Sequence, residues 1–127
     1  MMNFWYLVKF LECGHFCIKY VLRKDKIKLN VSYCKQLMTI GLVARVLKEY
    51  YQSVEWYKVN NIEDLKNKGR FITLLKIRKN ALHYIVVERI EDQYVYYYDP
   101  LFLFIKKAKI NRFKSKWSNY CCLYIKK

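Results

Sequence analysis

Midway along the chain the spacing of the apolar residues changes, and that change limits the folds open to it. From Cys13 to Arg23 they fall at Phe16, Cys17, Tyr20 and Val21, the i, i+3 and i+4 spacing of one helix face. Ser32 and Thr39 are placed to cap two further helices. The second of these, roughly Gly41 to Tyr51, carries Leu42, Val46, Leu47 and Tyr50 on one side. Asn61 can cap a short turn through Leu65, with Glu63 and Asp64 near its positive end. Then the period shortens. Phe71–Ile77, His83–Ile90 and Gln93–Tyr98 are dense in β-branched and aromatic residues, with turns expected at Arg78–Leu82 and Glu91–Asp92. Pro100 closes the third run because it has no N–H for a ladder, and a last strand is expected over Cys121–Ile125. Helices first and an antiparallel meander second predict an α+β domain.

With 127 residues, only three glycines and one proline, the sequence has little material for a flexible linker and no fixed-period repeat. One domain over 1–127 is the expectation. The apolar start, Met1 to Val8, is interrupted by Lys9, Glu12, His15 and Lys19, so it cannot supply the ~20 apolar residues of a membrane span. It also lacks the basic segment and small-residue cleavage site of a secretory signal. Five cysteines, two of them the adjacent Cys121 and Cys122, make a poor disulfide framework and point to a reducing, cytoplasmic setting.

The formal charge of +15 would draw nucleic acid, an anionic membrane face or an acidic peptide. The cations are spread over Lys19–Lys28, Lys66–Lys79, Lys106–Lys116 and Lys126–Lys127, and no single motif gathers them onto one readable surface. Tyr94–Tyr98 reads as a half-buried strand with cross-strand aromatic packing rather than a platform for bases. Nucleic acid is therefore not the expected partner.

Cysteine is a useful nucleophile only as thiolate, and a helix amino terminus favours that form. Cys13 stands where the first helix should begin, followed by Gly14, which leaves room for a substrate backbone. The chain has two histidines. His15 lies two residues from Cys13, on another azimuth of the same helix, where it is expected to be exposed or to line the cleft. His83 opens a β-run and is the candidate base. Asp99 follows the next run, where it can lie beside His83 and fix the imidazole tautomer. Cys17 reads as a small core residue. Cys13, His15 and Cys17 do not suffice for zinc, because no second pair completes a tetrahedral set, so no metal or cofactor is expected.

Three stretches carry a family resemblance, in order along the chain. Glu12-Cys13-Gly14-His15-Phe16-Cys17-Ile18 resembles the D-C-G-x-x-C-L box of the C39 peptidases, the leader peptidases of bacteriocin-exporting ABC transporters. His83-Tyr84-Ile85-Val86-Val87 is similar to that family's H-F-V-V-L strand, and Asp99-Pro100 to its D-P pair. Weaker similarity lies between and after these three, where Thr39-Ile40-Gly41-Leu42 resembles the family's second helix start and Phe113 with Trp117 its closing segment.

The resemblance implies a papain-like fold, with Cys13 on a helical half and His83 and Asp99 on a sheet half. It implies cleavage after a Gly-Gly pair in a bacteriocin or peptide precursor, by Cys13 as nucleophile and His83 as acid and base. The partners implied are the precursor's leader peptide, docking by an apolar helix face, and an ABC exporter at the inner face of the membrane. The family places a glutamine six residues before the cysteine to complete its oxyanion hole, and here that position is Leu7. The alternative is therefore a degenerate domain that binds a leader or transporter without cutting.

Overall fold

The computed structural model describes residues 11–59, 61–66, 69–78, 81–102 and 104–126, with side chains left out at 78, 118–122 and 124–126. Helix α1 spans Cys13–Lys24 and helix α2 spans Ile40–Leu47. Thr39 caps α2 as the sequence suggested, its Oγ1 accepting from Leu42 N–H at 3.1 Å. Asn61 likewise accepts from Glu63 N–H at 3.1 Å and opens a single 3-10 turn, Ile62–Leu65.

Ser32 starts no helix. Residues 27–36 are extended or bent, and Ile27, Leu29, Val31 and Tyr33 pack at alternate positions against the core. That is a period of two, which a helix cannot present to one side. Helix α2 also ends earlier than its apolar pattern suggested. Tyr51 turns away and donates its hydroxyl to Asp25 at 2.6 Å.

The strands are β1 (Ser53–Lys58), β2 (Phe71–Arg78), β3 (Ala81–Glu91), β4 (Tyr94–Asp99), β5 (Phe104–Lys109) and β6 (Trp117–Lys126). Helix α3, Ile110–Lys116, joins β5 to β6. The sheet order is β1-β6-β2-β3-β4-β5, and every pairing is antiparallel. Strands β2 to β5 form the expected meander. Strand β6 then crosses back and pairs with both β1 and β2, and strands β1 and β5 join as edges that the sequence reading did not include.

The β3–β4 turn falls on Asp92 and Gln93, whose φ values are 51° and 73°. Two successive left-handed residues match the twist of a tight hairpin. Five consecutive residues of β3, His83–Val87, are buried, because both faces of the sheet are covered there. On one face Cys17, Ile18, Val21 and Leu22 of α1, with Val43 and Leu47 of α2, pack on Ile72, Val86 and Leu123. On the other, Phe71, Leu75, Ile85, Val87 and Val95 enclose a second core with Phe113 and Trp117. Cys17 is fully buried, as expected of a core cysteine.

Candidate active site

The site forms where the start of α1 meets the β3–β4 hairpin. Cys13 is the first residue of α1 and is 6% exposed. Its sulfur accepts a hydrogen bond from the backbone N–H of Tyr84, at 3.4 Å. Strand β3 carries His83 and Tyr84 in succession, so their side chains leave on opposite faces. Tyr84 joins the α1 core and donates its hydroxyl to Met38 O at 2.7 Å.

His83 and Asp99 are brought together from the same hairpin. His83 Nε2 lies 3.2 Å from Asp99 Oδ2, and both residues are buried. A carboxylate oxygen accepts, so Nε2 is the donor in this pair. Among the described residues Nδ1 has no hydrogen-bond partner. The other carboxylate oxygen of Asp99 accepts from Leu101 N–H at 3.0 Å, and Lys106 Nζ stands 4.0 Å from Oδ2. Asp99 thus opens the turn before β5 and orients His83 at once.

Cys13 reaches the same strand one residue away, at Tyr84, while the imidazole nitrogen that could take its proton has no partner among the described residues. Hydrogen bonds of this kind are often long before substrate arrives and shorten in the complex.

The electrostatics differ from the sequence expectation. The amino terminus of α1 was expected to depress the Cys13 thiol. Burial instead pushes it up, outweighing the N–H groups of Tyr84, Gly14 and Cys13 itself, which pull it down; the nearby charge of Asp99 adds to the rise. Glu12 at the helix cap makes no side-chain bond to the first turn. At neutral pH the resting group is the thiol.

Gly14 lines the groove beside Cys13 and is also packed from within the protein. A Cβ there would lie 3.2 Å from the Tyr84 ring and 3.3 Å from Met38 Cβ. The missing side chain makes room for the protein's own packing. Beside Cys13 opens a small groove of about 160 Å³, flanked by Leu37, Met38, Leu82 and Tyr84. Leu37 and Leu82 are exposed.

His15 is neither exposed nor in the cleft. It is buried, its Nδ1 is 2.7 Å from Tyr33 Oη, and burial followed by the charges of Lys35 and Lys19 lowers its pKa to about 4. Tyr84, Met38 and Tyr33 were not singled out in the sequence. Only Tyr84 left a trace there, because a residue adjacent to a strand histidine must face the other way. Leu7, and Asn3, Tyr6 and Lys9 near it, lie outside the described residues, as do the side chains of Cys121 and Cys122. Among the described residues no cluster of three or more His, Cys, Asp or Glu could hold a metal ion. No described helix is long and apolar enough to cross a membrane.

The model of the peptidase C39 family matches residues 4–127. The peptidase domain of Streptococcus ComA, a bi-functional ABC transporter involved in a quorum-sensing pathway, is 17% identical; the match covers 91% of each chain with a TM-score of 0.71. A double glycine motif protease from an AMS/PCAT transporter, solved in complex with the leader peptide, is 22% identical over 91% of this chain and 84% of that one, with a TM-score of 0.70. The peptidase domain of Streptococcus mutans ComA, in complex with a small-molecule inhibitor, is 18% identical over 93% of each chain, with a TM-score of 0.73. No curated protein matches the sequence. These likenesses carry the fold: helices followed by an antiparallel sheet, as in C39 peptidase domains.

Proposed function

We propose that this chain, which belongs to the peptidase C39 family of cysteine peptidases, cleaves a precursor peptide after a Gly-Gly pair, as a single domain over residues 1–127. The observation that carries the reading is the His83–Asp99 pair, its Nδ1 without a partner among the described residues, set beside the strand residue that binds Cys13 Sγ.

Asp99 holds the Nε2–H tautomer, so Nδ1 is the basic atom. When the peptide enters, Nδ1 takes the thiol proton of Cys13. The sulfur attacks the carbonyl carbon of the second glycine, and its oxygen gathers negative charge. The N–H groups of Cys13 and Gly14 are the donors available to that oxygen. The imidazolium returns its proton to the leaving amine, and the C–N bond breaks. Water, deprotonated by His83, then hydrolyses the thioester and releases Cys13. A groove of only about 160 Å³ suits residues without side chains. The leader would add contact through apolar residues on Leu37 and Leu82, and an ABC exporter at the cytoplasmic face of the membrane would be the partner.

A raised thiol pKa and Leu7 in the place of the family's glutamine support a second reading, a domain that holds the leader without cutting. Loss of one oxyanion donor costs about 10²–10³ in rate. Incubating the purified chain with a Gly-Gly precursor separates the two. The peptidase reading expects a product ending in Gly-Gly from the wild type and none from Cys13→Ala. Leader binding equal in both proteins, with no cleavage in either, would overturn it. Leu7→Gln should raise the rate by up to the same factor.

A further inference from the structure

One of the four basic stretches, Lys106–Lys116, closes on itself in the fold. Strand β5 and helix α3 bring Lys106, Lys107, Lys109, Arg112 and Lys116 around one cavity of about 550 Å³. Its floor is apolar and buried, formed by Leu75, Tyr97 and Phe113. Asp99 is the carboxylate near this rim, 4.0 Å from Lys106.

The apolar side of the same surface is as unusual. Phe102 and Phe104 are 43% and 57% exposed, two large apolar side chains facing solvent. The two phenylalanine rings meet edge to face, with centroids 6.2 Å apart. Lys106 joins the halves, its ammonium 4.2 Å over the Phe102 ring while it lines the cavity. Exposed aromatic residues next to converging cations match the two layers of an anionic bilayer, apolar boundary and charged headgroups. A soluble anion would use the cations and leave the phenylalanines in water.

We infer that this face is a docking surface for an anionic phospholipid bilayer, with Phe102 and Phe104 entering the acyl boundary and the cavity taking a headgroup phosphate. Phe102 N–H donates to Asp99 O at 3.0 Å, so the surface begins three residues from the candidate site. Docking sets that site beside the membrane, where a peptide on its way to export would be met. The inference does not depend on turnover.

The test is sedimentation of the full chain with phosphatidylglycerol vesicles and, separately, phosphatidylcholine vesicles. Binding to the first and not the second is expected, weakening as salt rises. Near such a surface each lysine is worth roughly fivefold in affinity, so Lys107→Gln with Lys109→Gln and Lys116→Gln should lower it about 100-fold. Lys19→Gln with Lys24→Gln and Lys28→Gln removes equal charge from exposed positions in and after α1 and should lower it only a few-fold. Phe104→Ser should weaken binding about tenfold through lost apolar burial. Equal loss in the two triple variants would overturn the inference, since net charge alone would then explain binding. So would unchanged binding by Phe104→Ser, or glycerol phosphate in solution competing as well as the vesicle binds.

Discussion

The two ends of α1 are held in opposite ways. At its carboxyl end the polar groups are paired. Asp25 closes the helix, accepts from Tyr51 Oη at 2.6 Å and faces Arg70 at 3.8 Å. Arg70 also donates to Glu88 at 2.9 Å, and Glu88 accepts from Tyr20, whose ring stacks on Tyr98 at 4.1 Å. One arginine thus ties the helix to β3. At the amino end the cap makes no side-chain bond, the thiol is buried, and His83 Nδ1 is unpartnered among the described residues. Steric fit works beside the Tyr84 N–H bond to Cys13 Sγ there, with Gly14 pressed under the Tyr84 ring. A helix anchored at one end can hold a poorly satisfied group at the other, which is where chemistry needs it.

The sharpest way to break this contrast is at the unsatisfied end. Asp99→Asn should lower cleavage about 10³–10⁴-fold, because an amide can stabilise the wrong imidazole tautomer. Thermal unfolding should change little by comparison. Gly14→Ala adds a Cβ to a space already filled, and the rate should drop roughly 10–100-fold as the start of α1 shifts. Rescue by trimming Tyr84 or Met38 would sharpen the steric account. A rate for Gly14→Ala equal to that of the wild type would remove it.

At the paired end the expected effect is on stability. Arg70→Ala leaves Glu88 and Asp25 without their cation, both only about 15% exposed, and should cost about 2 kcal/mol in urea unfolding. Cleavage should persist below the transition. If Arg70→Ala abolished cleavage while the chain stayed folded, the two ends would not be separable.

The smallest effect is on pH dependence. His15 stays neutral in the folded chain down to a pKa of about 4, whereas the unfolded chain protonates it near 6.5. Between these values the unfolded state binds more protons, so stability falls as pH drops from about 6.5 to about 4. His15→Gln should flatten that part of the profile by about 2 kcal/mol. Parallel profiles for the two proteins would mean that His15 titrates freely in the fold.

What the sequence made legible was local. Thr39 and Asn61 cap the elements they precede because a side-chain oxygen reaches only two or three residues. The hairpin from His83 to Asp99 was visible because both strands are buried and therefore apolar. The edges were not. Strand β5 exposes most of its residues, and β1 alternates only weakly, so neither shows a clean period of two. The insertion of β6 between β1 and β2 joins segments more than forty residues apart, and no local pattern encodes it. At the site, the residue types were legible and their environments were not. Whether Cys13 is raised or lowered depends on burial by β3, and the fate of His15 on Tyr33, 18 positions away.

The β3–β4 hairpin has one more consequence, for how such a site is inherited. His83 and Asp99 are 16 residues apart and share a single ribbon closed by two residues, Asp92 and Gln93. The proposed base and its carboxylate partner therefore travel as one cassette. Recombination between related chains can exchange that pair without separating its members, while Cys13, the proposed nucleophile, descends through a different segment. A chimera that takes only this hairpin from a relative would inherit a matched imidazole and carboxylate, and would have to relearn just the contact between Tyr84 and the start of the helix.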